Sequence, residues 1–192
     1  WRVKLDDDAS AFARLVARWE KPIQRLCGRM TGDAHRAEDL TQTVFTRVFT
    51  RRAQWEPTGK FSTFLWRVAL NLCHDDRRRQ QRRGEFSLEA LAEVNGVETA
   101  AFAGSEPMPD EQAQAQERSE LVRRALDELP DPYREVVVLR HYEGLKFREI
   151  GEVLGIPDGT VKTRLSRALD QLNRLLKHVN EDQVCNRKTQ TP

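Results

Sequence analysis

Residues 145–169 read LKFREIGEVLGIPDGTVKTRLSRAL, and this stretch decides the fold of the second half of the chain. Its first part predicts a short amphipathic helix, because three apolar side chains share one face: Ile150, Val153 and Leu154. Gly155 can adopt the positive φ that ends a helix, and Pro157 prevents the helix from continuing. Asp158 and Thr160 are then available to cap a second helix. This order of elements predicts a helix-turn-helix that binds DNA.

The second helix of this motif is predicted to have two chemically different faces. Apolar residues recur every three or four positions and are expected to be buried: Val161, Leu165, Ala168, Leu169, Leu172, Leu175 and Leu176. Charged and short polar side chains occupy the other side and are the candidates for contact with the major groove: Thr160, Lys162, Thr163, Arg164, Ser166 and Arg167. A polar outer face is also typical of any amphipathic surface helix, so these residues alone leave both interpretations open.

Composition and charge predict an all-α protein of two small domains. Of the 192 residues 39% are hydrophobic, and no long stretch alternates in the manner of strands. The formal charge is +2, yet residues 84–116 contain acidic side chains, glycine and proline but neither lysine nor arginine. This segment is therefore expected to be a flexible acidic linker. The predicted organisation is a domain at 1–83, the linker at 84–116, a helix-turn-helix domain at 117–180 and a disordered tail at 181–192.

Apolar spacing locates the helices of both domains. In the first domain we expect helices over about 10–30, 34–52 and 62–83, with Thr31-Gly32-Asp33 ending the first and capping the second. In the second domain, helices over about 121–129 and up to Tyr142 are expected to flank a Pro130-Asp131-Pro132 junction, with Asp131 as the cap. The helix-turn-helix follows them.

The third helix carries more apolar surface than one core requires. Trp66, Leu70 and Cys73 lie away from its main stripe and indicate a second packing partner. Asn71 lies on the flank, and the helix ends in RRRQQRR at 77–83. Aromatic, amide and arginine groups together suit single-stranded nucleic acid. The plainer alternatives are that Trp66 packs against a neighbouring helix, that Asn71 is a solvent-facing residue and that the arginines form a solvated helix end.

These motifs resemble a bacterial RNA polymerase sigma factor of the extracytoplasmic-function (ECF) group. ALDELP at 125–130, REVVVLR at 134–140 and GTVKTRL at 159–165 are similar to the family's region 4. AEDL at 37–40 and FLWRVA at 64–69, followed by Asn71, are similar to its region 2. The family usually has tryptophan where Phe64 stands and often arginine where Leu70 stands, so contacts with melted DNA are expected to differ there.

The resemblance implies a role for each part of the chain. The second helix would dock on core RNA polymerase through Asp39, Gln42, Phe45 and Phe49. The third helix would open and bind the minus-10 element of promoter DNA through Trp66, Asn71, Arg77 and Arg78, and the helix-turn-helix would bind the minus-35 element through the six residues named above. The linker would run through the polymerase towards its RNA exit path. The resemblance also implies an anti-sigma factor that clamps the apolar face containing Trp66.

The sequence predicts no catalytic centre, no cofactor, no metal ion and no small-molecule substrate. Cys27, Cys73 and Cys185 are far apart and form no zinc or disulfide pattern. Neither a membrane span nor a secretion signal is recognisable, so the expected location is the cytoplasm. Two rival functions remain. A stand-alone repressor or activator would form a dimer and bind two half-sites, whereas a DNA-processing enzyme would need catalytic residues that the sequence lacks.

Overall fold

The computed structural model describes residues 8–54, 59–84 and 120–188, which are helical and include no strand. The all-α prediction is confirmed. The first three helices are α1 (Ala9–Thr31), α2 (Ala34–Thr50) and α3 (Phe61–Gly84), with a short 3₁₀ turn at Arg52–Gln54. Four helices follow: α4 (120–128), α5 (Asp131–Val137, continued by a π-helical turn at Val138–Tyr142), α6 (Phe147–Leu154) and α7 (Asp158–Lys188). Except for Gly84, the predicted linker lies outside the described residues.

The turn between α1 and α2 forms as its residues predict. Gly32 adopts φ 71°, and its N–H donates to the carbonyl of Gly28 at 2.9 Å. The side chain of Asp33 accepts a hydrogen bond of 3.0 Å from the backbone N–H of Arg36. A left-handed glycine therefore ends one helix, and an aspartate caps the next.

Helices α1, α2 and α3 share a core built from residues spaced three or four positions apart. Its buried side chains include Ile23, Leu26 and Met30 of α1, Ala37, Val44 and Val48 of α2, and Leu65, Ala69 and Leu72 of α3. This spacing places each set on one helix face, so three amphipathic helices bury their stripes against one another.

The junction between α4 and α5 departs from its prediction. The helix α5 begins at Asp131, and the carbonyl of Pro130 accepts hydrogen bonds from the N–H groups of Tyr133 and Arg134 at 2.9 and 3.1 Å. Asp131 makes no capping hydrogen bond, so its predicted role as the cap is wrong. Its carboxylate instead forms an ion pair with Arg77 of α3, with Oδ1 2.8 Å from Nη1.

The end of α7 also differs from expectation. The helix continues to Lys188, beyond the predicted end near His178 and into the predicted tail, because no glycine or proline interrupts residues 160–191.

The start of α7 differs from the prediction too. The helix begins at Asp158, so Asp158 and Thr160 lie inside its first turn instead of capping it. Leu169, predicted to be buried, is 48% exposed because it lies at the edge of the apolar stripe.

The guanidinium of Arg134 ties together the turn between α4 and α5. The residue is 2% exposed and donates to the carbonyls of Leu126 at 2.7 Å and Leu129 at 2.9 Å, and also to that of Asp127. A further hydrogen bond of 3.0 Å reaches the carbonyl of Met30, near the end of α1. Burial lowers the pKa of Arg134, yet the carbonyl oxygens compensate for much of the lost hydration.

The N-terminal and C-terminal helices pack together. One continuous cluster of buried side chains includes residues of α1, α2 and α3 together with Val136, Leu139, Ile150, Val153 and Val161 of the C-terminal helices. We call this packing of α1–α3 against α5–α7 the closed arrangement. Among the residues that the structure describes, no helix is long and apolar enough to cross a bilayer.

We expect Arg134→Met to lower the free energy of unfolding by about 3 kcal/mol, because several buried carbonyls would lose their donor. Urea denaturation followed by circular dichroism measures this change. The control is Arg124→Met, which removes an exposed arginine of α4 and should change stability by less than about 0.5 kcal/mol. Equal destabilisation by the two variants would contradict the role assigned to Arg134.

Candidate nucleic-acid interface

The α7 helix presents a polar face to solvent, as predicted. Val161 and Ala168 are fully buried against the other C-terminal helices. Four of the six candidate DNA-binding residues are exposed: Lys162, Thr163, Ser166 and Arg167. The other two, Thr160 and Arg164, are half-buried at the edge of this face. The structure therefore brings all six to one accessible stretch of helix, and the closed arrangement leaves that stretch uncovered.

Two local contacts constrain the start of this face. The hydroxyl of Thr163 donates to the carbonyl of Gly159 at 2.9 Å, which uses its proton within the helix. The Lys162 Nζ lies 5.7 Å from the centroid of the Phe147 ring, at the beginning of α6. The ring favours a cation on this side of the motif.

The turn of the helix-turn-helix depends on two glycines for different reasons. Gly155 adopts φ 68°, as predicted, and its N–H donates to the carbonyl of Gly151. At Gly151 the constraint is space, because a Cβ atom there would lie 2.7 Å from the carbonyl oxygen of Ile156. This close approach lets the chain turn tightly from α6 into α7, and the sequence reasoning did not identify Gly151.

On α3 the predicted nucleic-acid residues differ in accessibility. Asn71 and Arg78 are exposed, and Arg77 is half-buried. Trp66 is only 4% exposed and packs edge-to-face against Trp19 of α1, with ring centroids 5.7 Å apart. Leu70 and Cys73 are also buried in the common core, so the second apolar face of α3 finds its partners within the chain.

Three cationic side chains of α3 contact the C-terminal helices. Arg77 forms the ion pair with Asp131 described above, and His74 Nε2 forms one with the buried carboxylate of Glu135. Arg67 donates to the carbonyls of Glu152 and Val153, in the last turn of α6, at 2.5 and 3.2 Å. These contacts hold one side of α3 in the closed arrangement, and the sequence reasoning missed them because the partners lie far apart along the chain.

On α2 the predicted polymerase-binding residues divide into two groups. Asp39 and Gln42 are exposed on the outer face, whereas Phe45 is 7% exposed and belongs to the core. Phe49 is half-buried: its ring centroid lies 4.9 Å from that of Phe12, and the guanidinium of Arg52 lies 4.0 Å above it. The surface of α2 available to a partner therefore consists of the polar side chains of Asp39 and Gln42 and the partly exposed ring of Phe49.

No group of three or more histidine, cysteine or acidic residues suited to a metal ion occurs in the parts of the chain that the structure describes. The Cys27 and Cys73 thiols are buried together, and their mutual hydrogen bond and burial raise the pKa of Cys73 well above its usual value. Cys73 is therefore a thiol of the core rather than a thiolate ligand.

Comparison with known proteins assigns a family to this geometry. Sigma-70 region 2 matches residues 15–83, which include α2 and α3, and Sigma-70 region 4 matches residues 119–172, which include the helix-turn-helix. The ECF RNA polymerase sigma factor SigW of Bacillus subtilis is 36% identical over 174 residues, covering 88% of this chain and 91% of SigW. The chain belongs to the ECF sigma factors.

One further relative agrees with this assignment, and one solved structure has a similar fold. The RNA polymerase sigma factor CarQ of Myxococcus xanthus is 33% identical to this chain over 171 residues. The matched residues cover 89% of this chain and 92% of CarQ. The sigma factor RpoE of Bartonella quintana, solved in complex with the anti-sigma factor NepR, has a TM-score of 0.68 at 21% identity, over 88% of this chain and 98% of that one. The latter likeness concerns the fold. The prediction of an ECF sigma factor is confirmed, and the stand-alone repressor is not favoured.

We expect the closed arrangement of this sigma factor to weaken as the pH rises. The hydrogen bond to Glu135 is the main cause that raises the pKa of His74, with Asp131 acting in the same direction and burial and Arg78 opposing it. The stabilisation is fully present below the pKa of an unfolded histidine and is lost as the pH rises through the raised pKa of the folded state. Thermal unfolding between about pH 5 and pH 9 measures it.

The matched variant for this experiment is His74→Gln, which removes the titrating group but keeps a polar side chain. We expect the melting temperature of this variant to decline less than that of the unaltered sigma factor as the pH rises. If both proteins show the same pH dependence, the His74 and Glu135 pair does not contribute.

We expect Gly151→Ala to destabilise the helix-turn-helix by about 1–3 kcal/mol, because the added methyl group would overlap the carbonyl of Ile156. Gly159→Ala is the control: a Cβ atom there meets no atom within 4 Å, and the position lies in the first turn of α7. Its stability should be unchanged or slightly increased. Urea denaturation of both variants tests the difference, and a loss at Gly159 as large as that at Gly151 would contradict it.

Proposed function

We propose that this sigma factor binds core RNA polymerase through α2, contacts the minus-10 element through α3 and contacts the minus-35 element through α7. The exposed polar face of α7 is the observation that supports this proposal most directly. Lys162 and Arg167 can neutralise phosphates, while Thr163 and Ser166 offer short polar groups for base edges. A helix with such a face and a buried opposite side fits the major groove.

The proposed contact with the minus-10 element rests on Asn71 and the arginines around it. Asn71 is exposed and can donate to and accept from the edge of an extruded base. Arg78 lies one helical turn after His74 and would contact the phosphate backbone of the DNA. Arg77 would contact the same backbone once its ion pair with Asp131 opens. Trp66 is buried here, so a contact between its ring and a base requires a local rearrangement.

The proposed polymerase contact uses the outer face of α2. Asp39 and Gln42 supply hydrogen-bonding groups, and the partly exposed ring of Phe49 supplies apolar area beside them. Phe45 supports this surface from within the core. We further propose that the linker at 84–116 joins a region 2 domain at 1–83 to a region 4 domain at 117–180, so that both can engage one promoter on the polymerase.

We propose that this sigma factor makes and breaks no bonds and needs no cofactor, metal ion or small-molecule substrate. It acts through binding alone. Contacts with extruded bases offset the free-energy cost of opening the DNA duplex, which is on the order of 1.4 kcal/mol per stacked base-pair step. An anti-sigma factor is the proposed regulator, since RpoE of Bartonella quintana was solved with one. Activity in the cytoplasm, where RNA polymerase acts, follows from the proposed role.

Run-off transcription with purified core RNA polymerase on a library of genomic fragments tests the function. We expect initiation only when both the sigma factor and the core enzyme are present, and weak promoter binding by the sigma factor alone. Tight, core-independent binding of a palindromic site would favour a repressor instead.

Within this assay, Lys162→Ala should lower initiation at the promoters found by about tenfold, because a hydrogen bond to a charged group such as a phosphate contributes about 1.5–3 kcal/mol. Lys177→Ala is the matched control, since Lys177 is exposed on the same helix but lies ten residues, about 15 Å along the axis, beyond Arg167, the last candidate residue. A similar loss in both variants would show that only total charge matters and would count against the assigned DNA face.

A further inference from the structure

Two cationic side chains lie close to the ring of Phe147, the first residue of α6. The guanidinium carbon of Arg140, in the π-helical turn, lies 4.8 Å from the centroid of this ring. The ammonium nitrogen of Lys162, on α7, lies 5.7 Å from the same centroid. Both distances fall within the roughly 6 Å over which the face of an aromatic ring attracts a cation. One ring therefore contacts cations from the two elements that precede and follow α6.

The acidic side chains of α6 are paired with other cations. The Glu149 carboxylate forms an ion pair of 2.9 Å with Lys60. The Glu152 carboxylate forms one of 3.4 Å with Arg148. An ion pair would neutralise Lys162, whereas an aromatic ring attracts an ammonium group and leaves its charge unchanged. Lys162 therefore keeps its full charge for a negatively charged partner.

The ring of Phe147 is fixed more firmly than the lysine beside it. Phe147 is half-buried and packs against the common core. Arg140 Nη1 donates a hydrogen bond of 3.0 Å to the carbonyl of Leu145, which holds the guanidinium beside the ring. Lys162 is exposed and has a long, flexible stem. The ring therefore limits the positions of the Lys162 ammonium group, and repulsion from Arg140 disfavours those nearest the guanidinium.

Lys162 also lies in the part of α7 that matters most for reading a base sequence. The N-terminal residues of a recognition helix contact the base edges of the major groove, and Lys162 is in the N-terminal part of α7. A lysine can contact either a base edge or a phosphate, depending on where its ammonium group is held. A shift of this group therefore changes which part of the DNA Lys162 contacts.

We propose that Phe147 is a positioning residue for recognition of the minus-35 element: its ring holds the Lys162 ammonium group where it contacts one particular base edge. This proposal rests on the proposed function of α7, and it does not require Phe147 to touch DNA. Without the ring, Lys162 keeps its charge but loses its fixed position. Attraction to phosphates then persists, while discrimination between base pairs falls.

A purely structural role for Phe147 leads to a different expectation. If the ring only filled space beside the core, its replacement would destabilise the helix-turn-helix and weaken binding to every DNA sequence. That loss would be the same whether or not position 162 carries a lysine. The two roles are therefore separated by the dependence of the effect on Lys162.

The test uses the full-length sigma factor with core RNA polymerase in a double-mutant cycle of Phe147→Leu and Lys162→Ala. Leucine keeps an apolar side chain but removes the ring, and Phe147→Tyr is the matched variant that keeps it. Run-off transcription from a promoter found in the fragment library, and from its single-base-pair substitutions across the minus-35 element, measures discrimination. Thermal unfolding followed by circular dichroism reports the stability of each variant.

NMR of the free sigma factor measures the contact itself, without DNA. The ring current of Phe147 should shift the ε-methylene protons of Lys162 upfield relative to those of Lys177, which is exposed on the same helix. Phe147→Leu should remove this shift. The comparison within the unaltered chain needs no substitution, so it tests the contact even if a variant is unstable.

We expect Phe147→Leu to lower discrimination against substituted minus-35 base pairs roughly two- to fivefold, the fold-change that corresponds to an exposed contact between a cation and a ring. Phe147→Tyr should retain this discrimination. In the Lys162→Ala background, Phe147→Leu should have no further effect.

Equal losses with and without Lys162, or unchanged discrimination in Phe147→Leu, would overturn the positioning role. An unshifted Lys162 signal in the unaltered chain would also overturn it. Failure of the proposed function appears separately, as the absence of core-dependent initiation by the unaltered chain.

Discussion

The buried guanidinium of Arg134 is the interaction on which the closed arrangement depends. It satisfies three carbonyls of the turn between α4 and α5 and one carbonyl at the end of α1, so a single planar group joins a local turn to the other half of the chain. A charge can be buried at this depth only when its donors are satisfied by well-placed acceptors. The carbonyls at the ends of α1 and α4 provide these acceptors, since helix ends leave carbonyls without partners.

Around this centre the chain uses the same helix for two purposes. The inner stripe of α3 completes the core with α1 and α2, while its cationic edge contacts the C-terminal helices. The surfaces proposed for promoter DNA are therefore unequal in the free molecule. The α7 face is open, whereas His74 and Arg77 of α3 are paired with carboxylates of the C-terminal helices.

Much of the fold was predictable from local patterns. The spacing of apolar residues located the helices, and the glycines at 32 and 155 ended helices as expected, because a positive φ is costly for other residues. The π-helical turn at Val138–Tyr142 had no signal, since its apolar residues fit an α-helix equally well. Asp131 was misjudged because a capping aspartate and an aspartate that pairs with a distant arginine look the same in sequence. The roles assigned to the candidate site residues stay predictions.

The sequence by itself determined the class of the protein: helical periodicity, turn chemistry and the region 2 and region 4 motifs are local, and neighbouring residues encode them. The tertiary structure alone decided that Trp66 packs against Trp19, that Phe45 is core rather than surface, and that Arg67, His74 and Arg77 contact the C-terminal helices. These contacts join residues that are distant along the chain. Which distant faces meet depends on the packing of all the helices together, and no short stretch of sequence contains that information.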